Sequence, residues 1–218
     1  MMIRGNSIEM IKVFLAIGLA CQLNACSNGG TAVNSTTVIG YVSQSTGFPS
    51  VLRNSRPYIL AEKSQIFPGD VISTDEQSLV RVELTAANEI KLGTHSRLLI
   101  TQIDQEDGDI LVNLNLSSGS LGVRGQSGHP VSYAINTAFA QVATKAQNFW
   151  LGYPPGIDSV DVVSLGEEDI IIKNRSGEAR LNSPLQASSV TSGSAPTEPR
   201  FWSQNKLSET LANHLPTG

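Results

Sequence analysis

From Val38 to Leu185 the apolar residues recur at every second position rather than every third or fourth. In Val80-Arg81-Val82-Glu83-Leu84, Val80, Val82 and Leu84 fall on one side, with Arg81 and Glu83 on the other. That period is the mark of a strand with one buried face. Glu89-Ile90-Lys91-Leu92, Ile110 to Leu116 (asparagines on the wet side) and Val131-Ser132-Tyr133-Ala134-Ile135 repeat it. Ile170-Ile171-Ile172 predicts a strand covered on both faces. Turn signals punctuate these runs at Pro68-Gly69-Asp70, Asp107-Gly108-Asp109, Ser118-Gly119, Pro154-Pro155-Gly156, Gly166-Glu167 and Ser176-Gly177. Short strands at such spacing predict an all-β fold, a β-solenoid-like or rolled β-sheet or sandwich of many short strands. No helical stripe interrupts residues 38–185.

Past this body the pattern changes. Residues 186–199 are rich in Ser, Thr and Pro and read as a linker. In residues 200–218, Leu207, Leu211 and Leu215 recur at i, i+4 and i+8 behind Phe201 and Trp202, and Pro216 ends the run. This predicts a short amphipathic helix. A helix of that length is marginal alone in water, so the expectation is that it docks on the chain's own β domain.

The N-terminal residues follow neither period. Arg4 and Lys12 precede the apolar run Val13 to Ala20, which is much shorter than the ~20 residues a membrane-spanning helix needs. A short basic start, a short apolar segment and small residues after it read as a secretory signal over residues 1–25. Initiation at Met1, Met2 or Met10 is compatible with this. The segment ends Leu23-Asn24-Ala25-Cys26-Ser27, which resembles the lipobox of bacterial lipoproteins, with Asn24 departing from the usual small or apolar residue. The resemblance implies acylation of Cys26 and anchoring in a lipid bilayer; by likeness to sorted lipoproteins, Ser27 favours the outer membrane. Cys21 is a weaker second candidate, and an ordinary signal cleaved near Ala25 is the alternative. Residues 26–37 read as a flexible tether.

Composition narrows the chemistry. Charged residues make up only 16% and the net charge is −4, which argues against a nucleic-acid partner. His95, His129 and His214 stand in three separate segments with no metal-ligand spacing, so neither a metal nor a cofactor is expected. No Gly-x-Ser-x-Gly elbow and no phosphate-binding glycine loop occurs, so an enzyme is not expected. The acidic run Asp104 to Asp109 reads as a solvated hairpin tip in preference to a calcium loop. Phe149-Trp150-Leu151-Gly152-Tyr153-Pro154-Pro155 is the most aromatic stretch, read as a strand edge turning over the core in preference to a binding patch.

The order of several short pieces resembles the periplasmic domain of FecR-type regulators. They are Pro68-Gly69-Asp70-Val71-Ile72-Ser73-Thr74, the strand from Ser78 to Leu84, Glu89-Ile90-Lys91-Leu92-Gly93, Ser96-Arg97-Leu98 and Gly119-Ser120-Leu121 with Val123. The likeness extends over 38–185 as a FecR-like β domain. Its turn motif, Pro68, Gly69, Asp70, Thr74 and Gly93, has a structural reading of its own. Pro and Gly suit the two centres of a type II turn, Asp70 suits nearby backbone donors, and Gly93 suits a reversal needing positive φ. Ala87-Asn88 replaces the family's Asp-Gly. The regulators' sigma-controlling segment and membrane span are not expected here. The resemblance thus implies a lipid-anchored, periplasm-facing, non-catalytic module that binds an envelope protein or serves a structural role. The alternatives are a signalling accessory to an outer-membrane receptor or secretion apparatus, and an envelope hydrolase.

Overall fold

In the computed structural model, residues 37–84, 88–106, 109–125 and 131–214 are described. The signal segment, Cys26, His129 and Leu215 lie outside them. Two nine-stranded sheets face each other. Sheet A runs, from its N-terminal edge, β4 (Gln65–Ile66), β1 (Gly40–Thr46), β6 (Leu79–Leu84), β7 (Asn88–Leu92), β10 (Ser120–Gly125), β13 (Asn148–Gly152), β14 (Ser159–Ser164), β17 (Gln186–Thr191) and β18 (Arg200–Phe201). Sheet B runs β3 (Arg56–Ile59), β2 (Ser50–Arg53), β5 (Val71–Ser73), β8 (Arg97–Glu106), β9 (Asp109–Ser118), β11 (Val131–Asn136), β12 (Gln141–Thr144), β15 (Ile170–Asn174) and β16 (Gly177–Leu181). The chain alternates between the sheets, adding one or two strands to each before crossing. Both sheets therefore advance in step from one end to the other. All pairings are antiparallel except β9 with β11.

The period-two residues fill the space between the sheets. Val80, Val82, Leu84, Ile90, Leu92, Val112, Leu114 and Leu116 are all buried in one continuous core. Arg81 and Glu83 stay on the outside, where Arg81 lies 4.0 Å from Glu89 across the strand pair. Two strands depart from the alternation. β11 is buried from Val131 to Ile135 because its neighbours β9 and β12 flank small residues, Ser132 and Ala134, on the outer face. β13 is central rather than an edge: Phe149 points inward, edge-on to Tyr133 at 5.5 Å, while Trp150 points outward.

The segment expected as a linker contains β17, which pairs with β14 along five residues. Its serines misled the composition reading. Ser188 is buried and its Oγ donates to the Thr197 carbonyl at 2.7 Å, so a polar side chain closes the edge. Behind β18 comes α1 (Gln204–His214), whose Lys206 N–H is accepted by the Ser203 hydroxyl, an N-cap. α1 docks on sheet A's outer face, as expected. Leu207 and Leu211 pack with Trp202, Trp150, Val163 and Ala187 in a second cluster.

Candidate functional site

The turn-motif residues form two buried polar arrangements. Asp70 N–H donates to the Phe67 carbonyl, closing a turn with Pro68 and Gly69 at its centre, and Gly69 has φ +86°. The fully buried Asp70 carboxylate accepts from Phe67 N–H at 2.9 Å and from Arg53 in a bidentate pair, Nε and Nη2 each at 2.7 Å. Arg53 lies over the Phe67 ring at 4.3 Å. Hydrogen bonding to Asp70 raises the Arg53 pKa beyond its ordinary value, so the guanidinium stays charged over that carboxylate.

Thr74 and Gly93 meet Ser96, Gly119 and Ser120 where the chain crosses between sheets. Thr74 Oγ1 donates to the Gly93 carbonyl at 2.6 Å and accepts from Ser96 N–H at 2.8 Å. Ser96 Oγ donates to the same carbonyl at 2.8 Å and accepts from Ser120 N–H at 2.9 Å. Gly93 N–H donates to the Ser120 carbonyl. The residue with positive φ in this turn is His95 (φ 52°), not Gly93. Gly119 (φ +74°) has no room for a Cβ against Ser96. The Thr74 and Ser96 hydroxyls each both donate and accept, so the knot ties the crossing segments together by side-chain hydrogen bonds.

The acidic run joins β8 to β9 with Glu106 opposite Asp109, a hairpin register whose tip lies outside the described residues. His95 lies in the turn between β7 and β8 and His214 at the end of α1. The described residues include no cluster of three or more His, Cys, Asp or Glu able to hold a metal.

Apolar surface is distributed unevenly. Of seven well-exposed large hydrophobics among the described residues, five lie between residues 41 and 59: Tyr41, Phe48, Leu52, Tyr58 and Ile59. Register brings two of them, Leu52 and Ile59, to one face of sheet B, while Tyr58 pairs with Val51 on the other face and Tyr41 lies in sheet A. On sheet B's outer face one cross-strand row reads Pro57, Leu52, Val71, Leu99, then Asn115, Asn136, Gln141, Lys173 and Glu178. Its first four members are apolar and its last five polar. The next row reads Ile59, Ser50, Ser73 and Arg97. Leu52 and Ile59 are 38% and 63% exposed, Pro57 is exposed and Val71 and Leu99 are half-buried, so an apolar stripe runs across four strands and is most open on β2 and β3.

The free edge beside this stripe is blunted. Asn54 and Ser55 both have positive φ (48° and 62°), as a two-residue hairpin turn requires. In such a hairpin Arg53 and Arg56 exchange backbone bonds, as do Val51 and Tyr58 two residues on, so Pro57 and Ile59 face outward. Pro57 has no N–H to offer there. The stripe escaped the sequence reading because each strand contributes a single residue. The available signal was the adjacent apolar pairs Val51-Leu52 and Tyr58-Ile59, which break alternation on both arms of one hairpin.

No protein-family model matches the chain, and no curated protein sequence matches it. Among solved structures it is similar to two crystal structures of a "putative anti-sigma factor" from Parabacteroides distasonis, at 1.65 and 2.50 Å resolution, each with TM-score 0.51 and 13% identity. The match covers 65% of this chain and 64% and 63% of those chains, so this chain spans less than two thirds of their length. At that identity the likeness is one of fold, and it is consistent with the FecR-type arrangement of the motifs.

Proposed function

We propose that this chain is a lipid-anchored, periplasm-facing module, acylated at Cys26 and carried on the outer membrane, that binds another envelope protein through the apolar stripe on sheet B. One observation carries the binding reading. The chain roofs the apolar part of sheet A's outer face with its own helix, yet among the described residues it leaves Leu52 and Ile59 exposed and Val71 and Leu99 half-buried on sheet B. An exposed apolar patch rimmed by polar residues marks an interaction site in a soluble domain. The motif residues have satisfied structural roles, so the module is read as non-catalytic.

Anchoring and binding are tested separately. Intact mass of membrane-extracted protein should show a cleaved chain acylated at Cys26, and Cys26→Ser should release it to the periplasm; unchanged retention and mass would remove the anchor. A photo-crosslinking residue at Leu52 should yield a discrete adduct in cells, while the same residue at Gln141, in the polar half of that row, should not. Equal adducts at both positions, or none at Leu52, would remove the binding surface. The fold likeness to the "putative anti-sigma factor" favours a second reading, a signalling accessory to an outer-membrane receptor or secretion apparatus. In that case the adduct contains a receptor or secretion component rather than a structural envelope protein.

A further inference from the structure

We infer that the partner lays a short, acidic amphipathic helix across the stripe, an inference that rests on the stripe being a binding surface. Charge comes first. The apolar end of the first row (Pro57, Leu52, Val71, Leu99) and the row beside it (Ile59, Ser50, Ser73, Arg97) hold no carboxylate, and their single charge is Arg97, exposed and reaching Ser73 Oγ at 3.4 Å. Arg56, paired with Arg53, points to the opposite face of the hairpin from Pro57 and Leu52 and takes no part in the stripe. The ion pairs among the described residues use other cations, Arg53, Arg81, Lys173 and Arg180. One guanidinium outside these ion pairs, Arg97, thus stands beside an apolar strip in a chain whose net charge is −4. Arginine beside apolar area is the surface complement of carboxylates on an otherwise apolar segment.

Shape comes second. Four strands at about 4.8 Å spacing span roughly 14 Å, the length of about ten helical residues. The chain's own solution on sheet A has that size: α1 has 11 residues and presents Leu207 and Leu211 to a sheet face. An added strand is the competing geometry, and Pro57 opposes it by removing a donor from the free edge.

The test uses the membrane-extracted full chain and three labelled synthetic peptides of about fifteen residues with leucines at i, i+4 and i+8. One carries Glu on its flanks, one Lys in place of Glu, and one Glu with a central Pro. The Glu peptide should bind at least about tenfold more tightly than the other two, and more weakly as salt is raised. Arg97→Glu should reverse the Glu-over-Lys preference, and Leu52→Asp should abolish binding without altering the melting curve. Equal binding of the Glu and Lys peptides overturns the inference. So does equal binding of the Pro peptide, or loss of binding in Ile59→Pro but not Leu52→Asp, which would mean an added strand. Binding to phosphatidylglycerol vesicles with no binding to any peptide also overturns it, in favour of a lipid surface. A Leu52 crosslink in cells without peptide preference removes this inference alone, whereas no Leu52 crosslink removes the reading beneath it.

Discussion

Each sheet carries an apolar stretch on its outer face, at opposite ends of the molecule and with opposite fates. On sheet A the row Gln44, Arg81, Lys91, Gly122, Trp150, Val163, Ala187 and Arg200 is polar toward the N-terminal edge and apolar toward the C-terminal one. Its apolar part is built as a recess. Gly122 sits beside Trp150, and a Cβ on Gly152 would collide with the indole, so two glycines let the ring lie flat. Trp202 meets that ring at 6.3 Å and Lys206 Nζ sits 4.0 Å over Trp202. Among the described residues nothing covers the apolar part of sheet B's row. Pro57, Leu52, Val71 and Leu99 make a flat strip of medium-sized side chains. Apolar area alone therefore does not decide burial: small residues beneath and a tethered helix above make one patch into core, and their absence leaves the other as surface.

Substitutions should separate the two faces by size of effect. The interior sets the upper reference. Val112→Asp places an unpaired carboxylate among fully buried side chains and should cost more than about 4 kcal/mol, enough to unfold the domain. A normal melting curve would mean the inner face of β9 is misassigned. Next comes Trp150→Ala, expected to cost about 3–5 kcal/mol, as for a large aromatic in a core. It should also free α1, seen as faster amide exchange over residues 204–212. If exchange there is unchanged, the helix is held by something other than the tryptophan recess, and the contrast between the faces weakens.

How much of this was legible follows from where the information sits. Val80, Val82, Leu84, Ile90 and Leu92 announce their strands because each alternates large apolar with charged residues within one run. β11 hides its double burial because Ser132 and Ala134 carry too little hydropathy to show that they are covered. β17 hides as a linker because Ser188 and Ser189 close a sheet edge by hydrogen bonding rather than by packing. The motif pieces were visible as a series, but their common purpose was not. Thr74, Gly93, Ser96, Gly119 and Ser120 come together only when four strands cross. The outer stripe is harder still, since Leu52, Pro57, Val71 and Leu99 share nothing but register.

A smaller effect tests how dry the inner face of sheet B is, beneath the polar half of its outer face. Burial pushes the Tyr133 phenol well above its ordinary value near 10, and burial also raises Tyr153. A raised folded value means the native state keeps a proton that the unfolded chain releases. Tyr133 therefore contributes fully below about pH 10 and progressively less above it, by about 1.4 kcal/mol for each further pH unit. Tyrosinate absorbance should show this residue ionising only as the domain unfolds. Ionisation of all four tyrosines before any loss of fold would put water at the inner face.

The smallest stability effect is expected on the stripe itself, and it is the most discriminating because a null is the prediction. Leu52 already keeps 38% of its surface in water on a face with no covering element among the described residues. Leu52→Ser should change stability by no more than about 0.5 kcal/mol, against several for Trp150. The same substitution should lower capture of the acidic helical peptide, because binding, not folding, is what buries that side chain. A destabilisation of 2 kcal/mol or so would show that Leu52 belongs to the folded core after all. The stripe would then be the rim of the interior, and the asymmetry between the two sheets would be one of degree rather than of purpose.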